Sequence, residues 1–132
     1  MSVVYAIEPA PGADEVAEVF RRSGIRRPVD DLARIALMIE HANLIVTARD
    51  GERLVGIARA LTDFSFCCYL SDLAVDRAYQ RSGIGAGLVR MVEEVIGEQA
   101  MLLLLAAPEA MEYYPRIGFQ RVENGWIIPR RR

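Results

Sequence analysis

Residues 80–87 combine residue types and a spacing that suit the binding of an anion. The segment reads Gln-Arg-Ser-Gly-Ile-Gly-Ala-Gly, and we call it the glycine turn. A strand-like run ends just before it at Asp76, and apolar residues with a period near 3.6 follow it, so a helix should begin close to Gly83. The start of a helix presents unpaired N–H groups and the positive end of the helix dipole, which bind phosphate oxygens without a basic side chain. Glycine permits this approach, because a Cβ would hold the anion away from the backbone.

Histidine and cysteine do not suggest a second reactive centre. His41 is the single histidine, and it follows an amphipathic helical pattern whose end favours a cation. Cys67 and Cys68 are neighbours in a strand-like run, so their side chains should point to opposite faces and form no mutual disulfide. We expect both to pack in the strand, no metal site, and a reduced chain.

The elements that must position the glycine turn follow from periodicity and turn residues. Strands are predicted at residues 2–7, 44–48, 54–62 and 66–75, with a hairpin turn at Asp50 and Gly51. Helices are predicted at residues 13–23, at residues 32–39 with Asp30 or Asp31 as cap, and from Gly83. In the remaining residues we predict a buried central strand at residues 101–106, a short helix at residues 109–116 and a final hairpin of residues 119–122 and 126–128.

This order predicts an α+β fold in which helices cover both faces of one mixed, mostly antiparallel sheet. The 132 residues are 52% hydrophobic and 26% charged, which suits a single domain over residues 1–132. The net charge of −2 gives no bulk attraction to nucleic acid. The longest apolar run, residues 100–108, is too short to cross a bilayer, and residues 1–20 do not resemble a signal peptide. We therefore expect a cytoplasmic protein with neither nucleic acid nor a membrane as partner.

The glycine turn fits neither of two common nucleotide-binding motifs. A dinucleotide site needs G-x-G-x-x-G after a parallel strand, whereas the glycines here are Gly83, Gly85 and Gly87. A P-loop needs Gly-Lys-Ser/Thr, and the turn contains no lysine. Taken alone, the glycines are equally consistent with capping and packing of a helix.

Two motifs together resemble the GNAT N-acetyltransferase superfamily. The first is Gln80-x-x-Gly83-x-Gly85, preceded by Leu-Ala-Val-Asp at residues 73–76. The second is Ala110-x-x-Tyr113-Tyr114-x-x-x-Gly118-Phe119, which is similar to that family's A-x-x-F-Y-x-x-x-G-F segment. The predicted order of elements also resembles the family's fold along the whole chain, and the resemblance implies that fold here.

The resemblance implies an acetyl-coenzyme A site built mostly from backbone. Main-chain groups of β-strand residues would pair with the pantetheine arm, namely Leu73, Ala74 and Val75. N–H groups of the turn would surround the pyrophosphate, namely those of Arg81, Ser82, Gly83, Ile84, Gly85 and Ala86, with the Arg81 guanidinium as an added phosphate contact. Ala107 stands where the family often has an Asn that contacts pantetheine, so we expect this contact either to be missing or to come from the backbone.

Acetyl transfer needs a neutral amine, a donor for the thioester oxygen and a proton for the departing thiolate. The resemblance places Tyr114 beside the coenzyme sulfur, which makes it the proton donor, while Tyr113 would pack in the core. The oxyanion donor would be a backbone N–H within residues 73–75. Asp72 is our candidate base, with Tyr69 and Ser71 expected on the opposite face, and Asp63 is a lesser candidate.

The sequence thus predicts an acetyl-coenzyme A-dependent N-acetyltransferase that acts on a primary amine by direct attack. One alternative is a module of the same fold that binds acetyl-coenzyme A without turnover. Another is a nucleotide- or phosphate-binding module that uses the glycine turn. The arginines within residues 21–39 suit an anionic acceptor or a solvated surface. Trp126, Ile127 and Ile128 suit either a homodimer interface or burial in the monomer.

Overall fold

The computed structural model describes residues 2–132. Its strands are β1 (Val3–Ile7), β2 (Leu44–Asp50), β3 (Arg53–Thr62), β4 (Cys67–Val75) and β5 (Met101–Leu103). Its α-helices are α1 (Ala13–Ser23), α2 (Leu32–His41), α3 (Ile84–Ile96) and α4 (Tyr113–Arg116). Single 3₁₀ turns lie at Arg77–Tyr79 and Pro108–Ala110.

The five strands form one sheet in the order β1-β2-β3-β4-β5. Every neighbouring pair is antiparallel except β4 and β5, which run parallel. Helix α3 packs on one face, where its apolar stripe (Ile84, Leu88, Val92 and Ile96) meets β2, β3 and β4. Helices α1 and α2 pack on the other face around Phe20 and Ile35, both of which are fully buried. The predicted α+β fold with helices on both faces is confirmed.

The helix boundaries follow from local backbone chemistry. Helix α1 begins after Gly12, whose N–H donates to the Glu15 carboxylate at 3.1 Å, and ends at Gly24, which has a φ of +84°. Helix α2 begins after Asp31, whose carboxylate accepts from the Arg34 N–H at 3.1 Å. Of the two predicted caps, Asp31 is therefore the one used.

The predicted central strand at residues 101–106 is wrong in place and length. Strand β5 contains three residues and lies at the edge of the sheet. Leu102 and Leu104 pack against the α3 side, whereas Met101 and Leu105 are exposed. Pro108, which has no N–H for a ladder, closes the run. The continuous apolar run indicated burial on both faces, but only one face is covered by residues 2–132.

The predicted hairpin of residues 119–122 and 126–128 does not form. Residues 120–132, which we call the C-terminal segment, contain no strand or helix and are exposed throughout. Trp126 and Ile128 are 98% and 97% exposed. A two-stranded hairpin is marginal unless a sheet supports it, and in the described residues the segment does not pair with β5.

The helices of residues 2–132 include none that is both long and apolar enough to cross a membrane.

Candidate functional site

A network of polar side chains holds the corner between β4 and the glycine turn. The Asp76 carboxylate is buried, accepts from the Ala78 N–H at 2.9 Å and pairs with Arg53 at 3.0 Å. The Gln80 amide donates to the Val75 carbonyl at 2.9 Å, so the first residue of the glycine motif closes the end of the strand. The Tyr79 hydroxyl donates to Asp50 at 2.6 Å and ties the turn to β2. The corner is therefore fixed from both the strand and the hairpin side.

The backbone of the glycine turn has the geometry of an anion site. Arg81 and Gly83 adopt left-handed conformations, with φ of +68° and +84°. The first helical hydrogen bond runs from the Gly87 N–H to the Gly83 carbonyl at 3.0 Å, and the helix has no side-chain cap. The N–H groups of Ile84, Gly85 and Ala86 therefore lack acceptors within residues 2–132 and are free for phosphate oxygens. The Ser82 hydroxyl donates to the Tyr79 carbonyl, so its side chain holds the turn.

Strands β4 and β5 separate beside this turn. Their ladder contains the pairs Cys67–Met101, Cys68–Leu102 and Tyr69–Leu103 and then stops. Residues 70–75 of β4 consequently have no strand neighbour on that side within residues 2–132. We call the opening between residues 70–75 and residues 104–107 the β4–β5 cleft. Its free backbone edge is available for an extended ligand arm, and it contains Leu73, Ala74 and Val75.

Helix α4 brings the second motif onto the first. The Tyr113 hydroxyl lies over the first turn of α3, where a Cβ on Gly85 would come within 2.5 Å of it. The Tyr114 ring packs edge-on against Tyr113 and Phe119, with ring centroids 5.3 and 5.4 Å apart. Tyr113 is 37% exposed, so the expectation that it packs in the core is wrong. Gly85 is the residue that makes room for it.

The surroundings of Tyr114 keep its hydroxyl protonated. Burial raises the pKa of Tyr114 above its ordinary value, Tyr113 raises it further, and the nearby Arg27 guanidinium opposes the rise. The Tyr114 hydroxyl makes no hydrogen bond to the rest of residues 2–132. No side-chain oxygen in these residues is both buried and without a hydrogen-bond partner, so the unpaired Tyr114 hydroxyl is accessible. The Tyr114 hydroxyl is therefore a neutral donor that a ligand can reach.

Asp72 has surroundings that do not suit a base. Its side chain is 0% exposed and accepts from the Arg27 Nε at 2.5 Å and from the Arg59 Nε on its other oxygen. Arg27 also donates to the Ser71 carbonyl at 2.8 Å, and Arg59 to the Ser71 hydroxyl at 2.9 Å. A base must come within hydrogen-bond distance of the proton it removes, and both Asp72 oxygens are occupied. We call Arg27, Asp72 and Arg59 the buried charge cluster.

A bulge in β4 changes which residues share the face of Asp72. Arg59 of β3 pairs with Asp72 and Ala60 pairs with Leu70, so Ser71 is the extra residue. Leu70 and Leu73 consequently both face α3, and Tyr69 lies on the same face as Asp72. The expectation from simple alternation, that Tyr69 lies opposite Asp72, is wrong because the bulge adds one residue.

The other candidates for chemistry serve the local structure. The Asp63 carboxylate accepts from the N–H groups of Cys67, Phe66 and Ser65, which lower its pKa to about 2. His41 ends α2 and lies 3.3 Å from the Glu40 carboxylate. Cys67 and Cys68 are free thiols on opposite faces, as strand alternation predicts. Cys68 is buried, whereas Cys67 is exposed, so the expectation that both pack is wrong for Cys67.

The predicted arginine rim is largely paired. Arg21 and Arg22 form surface pairs with Asp30 and Glu18, at 3.3 and 3.2 Å.

Within residues 2–132, no group of three or more His, Cys, Asp or Glu side chains is arranged to hold a metal ion.

Sequence reasoning missed the role of Arg59. A single arginine between Ala58 and Ala60 in an otherwise buried strand requires a carboxylate partner, and this signal could have indicated the cluster. Its partner could not be read from the sequence, because Asp72 lies 13 residues further along.

Comparison with known proteins agrees with this geometry. The family model described as the acetyltransferase (GNAT) domain matches residues 12–126. A soybean (Glycine max) protein named histone acetyltransferase TAP1 is 25% identical over 113 residues, covering 76% of this chain and 48% of that protein. The chain therefore spans about half the length of this curated relative.

Solved structures share the fold at low sequence identity. The Streptococcus pneumoniae GNAT family acetyltransferase SP0256 superimposes with a TM-score of 0.78 at 21% identity, covering 99% of this chain and 100% of that chain. The aminoglycoside N-acetyltransferase AAC(6')-Iy, solved in complex with CoA, gives a TM-score of 0.74 at 14% identity, covering 98% and 95%. With the family model matching most of its length, the chain belongs to the GNAT acetyltransferase family.

Proposed function

We propose that this protein transfers the acetyl group of acetyl-coenzyme A to a primary amine by direct attack. The observation that carries the proposal is the β4–β5 cleft, together with the free N–H groups of the glycine turn and the unpaired hydroxyl of Tyr114 on α4. The free turn N–H groups would bind the pyrophosphate, with Arg81 as an added contact. The backbone of Leu73, Ala74 and Val75 would pair with the pantetheine arm.

The proposed chemistry balances without a covalent enzyme intermediate. The neutral amine attacks the thioester carbonyl, whose oxygen is stabilised by a backbone N–H of residues 73–75. The C–S bond then breaks, the thiolate takes the Tyr114 proton, the nitrogen releases its extra proton to solvent, and Tyr114 regains a proton from solvent. We assign Asp72 to positioning, because it holds Arg27 against the β4 bulge.

Two measurements test the proposal. Calorimetric titration should show binding of coenzyme A in preference to ATP. Thiol release from acetyl-coenzyme A, followed with a thiol-reactive dye across a panel of primary amines, should rise with at least one amine. Preference for ATP would contradict the proposal and favour a nucleotide-binding module.

A non-catalytic acetyl-coenzyme A-binding module is the second candidate. Two observations favour it: Ala107 takes the place of a common pantetheine contact, and both oxygens of the candidate base Asp72 are held by arginines. Coenzyme binding without thiol release on any amine would support this alternative. The two functions share the coenzyme site and differ only in turnover.

We further propose that the protein forms a homodimer through the C-terminal segment. Its apolar side chains, Val122, Trp126, Ile127 and Ile128, are exposed in the single chain. Burying such side chains against a second copy would remove a large apolar area from water. A cytoplasmic location, and the absence of nucleic acid, membrane and metal partners, stay predictions from the sequence.

A further inference from the structure

Arg27 lies in the connection between α1 and α2, and its side chain reaches the bulge of β4. Its Nε donates to the Asp72 carboxylate at 2.5 Å, its Nη2 to the Ser71 carbonyl at 2.8 Å and its Nη1 to the Arg26 carbonyl at 2.6 Å. A guanidinium has five N–H groups, so Arg27 retains one on each terminal nitrogen that has no acceptor within residues 2–132. The side chain is 25% exposed, so a ligand can reach these N–H groups.

The buried charge cluster contains one positive charge more than its carboxylate balances. Asp72 is the one acidic residue that pairs with Arg27 or Arg59 in the described part of the chain. Arg59 is 8% exposed and donates to the Ser71 hydroxyl and the Met38 carbonyl, so the protein itself encloses this guanidinium. A guanidinium removed from water needs a counter-charge. The excess positive charge is therefore open to an anionic ligand at Arg27.

Arg27 also lies beside the proposed reaction centre. Its partners Ser71 and Asp72 directly precede residues 73–75, whose backbone N–H groups we assign to the thioester oxygen. Each residue of a strand advances by about 3.3 Å, so those residues lie about 7 to 13 Å from Ser71. The Arg27 charge also acts on the Tyr114 hydroxyl, whose pKa it lowers against the effect of burial. A second functional group on an amine held at the thioester can therefore reach Arg27 through a short chain.

We propose that Arg27 binds a carboxylate of the acceptor, so that the enzyme prefers primary amines that carry a carboxylate at the other end of a short chain. The two N–H groups without acceptors suit the two oxygens of a carboxylate. The inference rests on the proposed function and names the class of its acceptor. Asp72 and Ser71 act as positioning residues, because their oxygens fix the guanidinium.

Matched pairs of acceptors test this preference. The ω-amino acids from glycine to 6-aminohexanoate are compared with their carboxamides, which lack the negative charge. Thiol release from acetyl-coenzyme A gives kcat/KM for each acceptor, expressed per neutral amine because a carboxylate raises the pKa of a nearby amine. We expect the acid to exceed its amide about tenfold at one or more chain lengths.

Variants at two neighbouring arginines show which guanidinium is responsible. Arg27→Gln should bring the acid-to-amide ratio within about twofold of one, and Arg27→Lys should give an intermediate ratio, because an ammonium keeps the charge without the paired N–H groups. In Arg27→Gln the Asp72 carboxylate keeps Arg59 as its partner, so the cluster stays balanced in charge. A loss of folded protein would lower both values alike and leave the ratio unaffected. Arg26→Gln is the matched control and should keep the wild-type ratio, since Arg26 is exposed and forms no ion pair within residues 2–132.

The outcomes separate this inference from the proposed function. Thiol release without a preference for the acid at any chain length would overturn the inference alone. So would a ratio that Arg27→Gln leaves unchanged, or one that Arg26→Gln lowers equally. Absence of thiol release with every acid and every amide would overturn the proposed function as well.

Discussion

Two consecutive tyrosines on α4 have different surroundings and therefore different uses. Tyr113 is partly exposed, and its hydroxyl lies over the first turn of α3 beside Gly85. Tyr114 is more buried, packs against Phe119 and keeps its hydroxyl unpaired within residues 2–132. A proton donor must be protonated and able to reach the leaving group, and Tyr114 meets the first condition because burial raises its pKa.

Replacing Tyr114 by Phe removes the donor while retaining the ring that packs on Phe119. We expect kcat to fall about 100-fold, because the thiolate would leave without a proton, and the dissociation constant for acetyl-coenzyme A to stay within about twofold. Steady-state thiol release and calorimetry measure the two effects. Tyr113→Phe is the matched control and should alter kcat far less. Unchanged turnover in the Tyr114 variant would remove it from the mechanism.

The buried charge cluster is a second feature at the scale of single residues. Asp72 lies between two guanidiniums, and Arg59 is 8% exposed. Removal of the carboxylate would leave one buried and one partly exposed positive charge close together without a partner. Such a loss costs far more than the loss of a surface ion pair.

We therefore expect Asp72→Asn to lower the free energy of unfolding by about 3 kcal/mol, the low end for a broken buried pair because Arg27 is partly exposed. Urea denaturation followed by circular dichroism measures the change. Asp63→Asn, in the exposed loop between β3 and β4, should cost much less because its amide oxygen still accepts from backbone N–H groups. Normal stability of Asp72→Asn combined with lost turnover would instead support Asp72 as the base.

At the scale of elements, β4 separates two tasks on its two sides. The edge of β4 is no longer paired with β5 after Tyr69, and the β4–β5 cleft opens there. Its bulge at Ser71 turns Asp72 toward α1 and α2, where Arg27 and Arg59 hold it. One strand therefore shapes the proposed coenzyme side with its backbone and the opposite face with a charged side chain.

A second ion-pair network joins β1, α1 and β2. The Arg49 guanidinium donates to Glu8, just after β1, at 2.8 Å and to Glu15 of α1 at 2.9 Å. These hydrogen bonds lower the pKa of both carboxyl groups below the usual value of 4.5, against the opposing effect of burial. Because the folded-state pKa values are lowered, this stabilisation is complete above about pH 4.5 and is lost as the pH falls through those values.

Arg49→Gln should lower the free energy of unfolding at pH 7 by roughly 1 to 2 kcal/mol, a figure reduced for the partial exposure of these side chains. The difference from wild type should shrink as the pH falls below about 4.5, because the carboxylates become protonated. Urea denaturation at several pH values measures this dependence. Arg22→Gln, which breaks an exposed pair with Glu18, should show little change with pH. A difference for Arg49→Gln that stayed constant down to about pH 3 would contradict the assignment.

At the scale of the whole molecule, the C-terminal segment leaves unusual apolar area in water. Trp126 and Ile128 lie almost fully exposed, while β5 has an unpaired outer edge within residues 2–132. The C-terminal segment is joined to α2 by a hydrogen bond from the Arg34 guanidinium to the Arg132 carbonyl at 3.2 Å. These features support the proposed homodimer.

Trp126 is the single tryptophan, so its fluorescence reports on this segment directly. We expect its emission to move to shorter wavelength as protein concentration rises, in parallel with dimer formation measured by light scattering. Val122→Asp/Ile128→Asp should give a monomer with long-wavelength emission, because charges would be buried at the interface. Glu123→Gln, in the same segment, should still dimerise. A monomer at every concentration, whatever its emission, would contradict the dimer.

The elements that could be predicted are those whose signals are local. The glycine turn, helix α3 and the first four strands follow from periodicity and from glycine within short windows. The short β5 and the absence of the final hairpin could not be predicted from the sequence. An apolar run does not specify which neighbouring element covers each of its faces. Tyr113 was misplaced for the same reason, since its position depends on Gly85 in another element.

The sequence by itself determined that a strand, a glycine turn and a helix meet at one corner, because each signal lies between Cys67 and Ile96. Only the tertiary structure decided which residues surround that corner. Arg27 meets Asp72 across 45 positions of chain, and the bulge at Ser71 sets the face on which they meet. Pairings at such separations depend on sheet register and helix packing, which local periodicity does not specify.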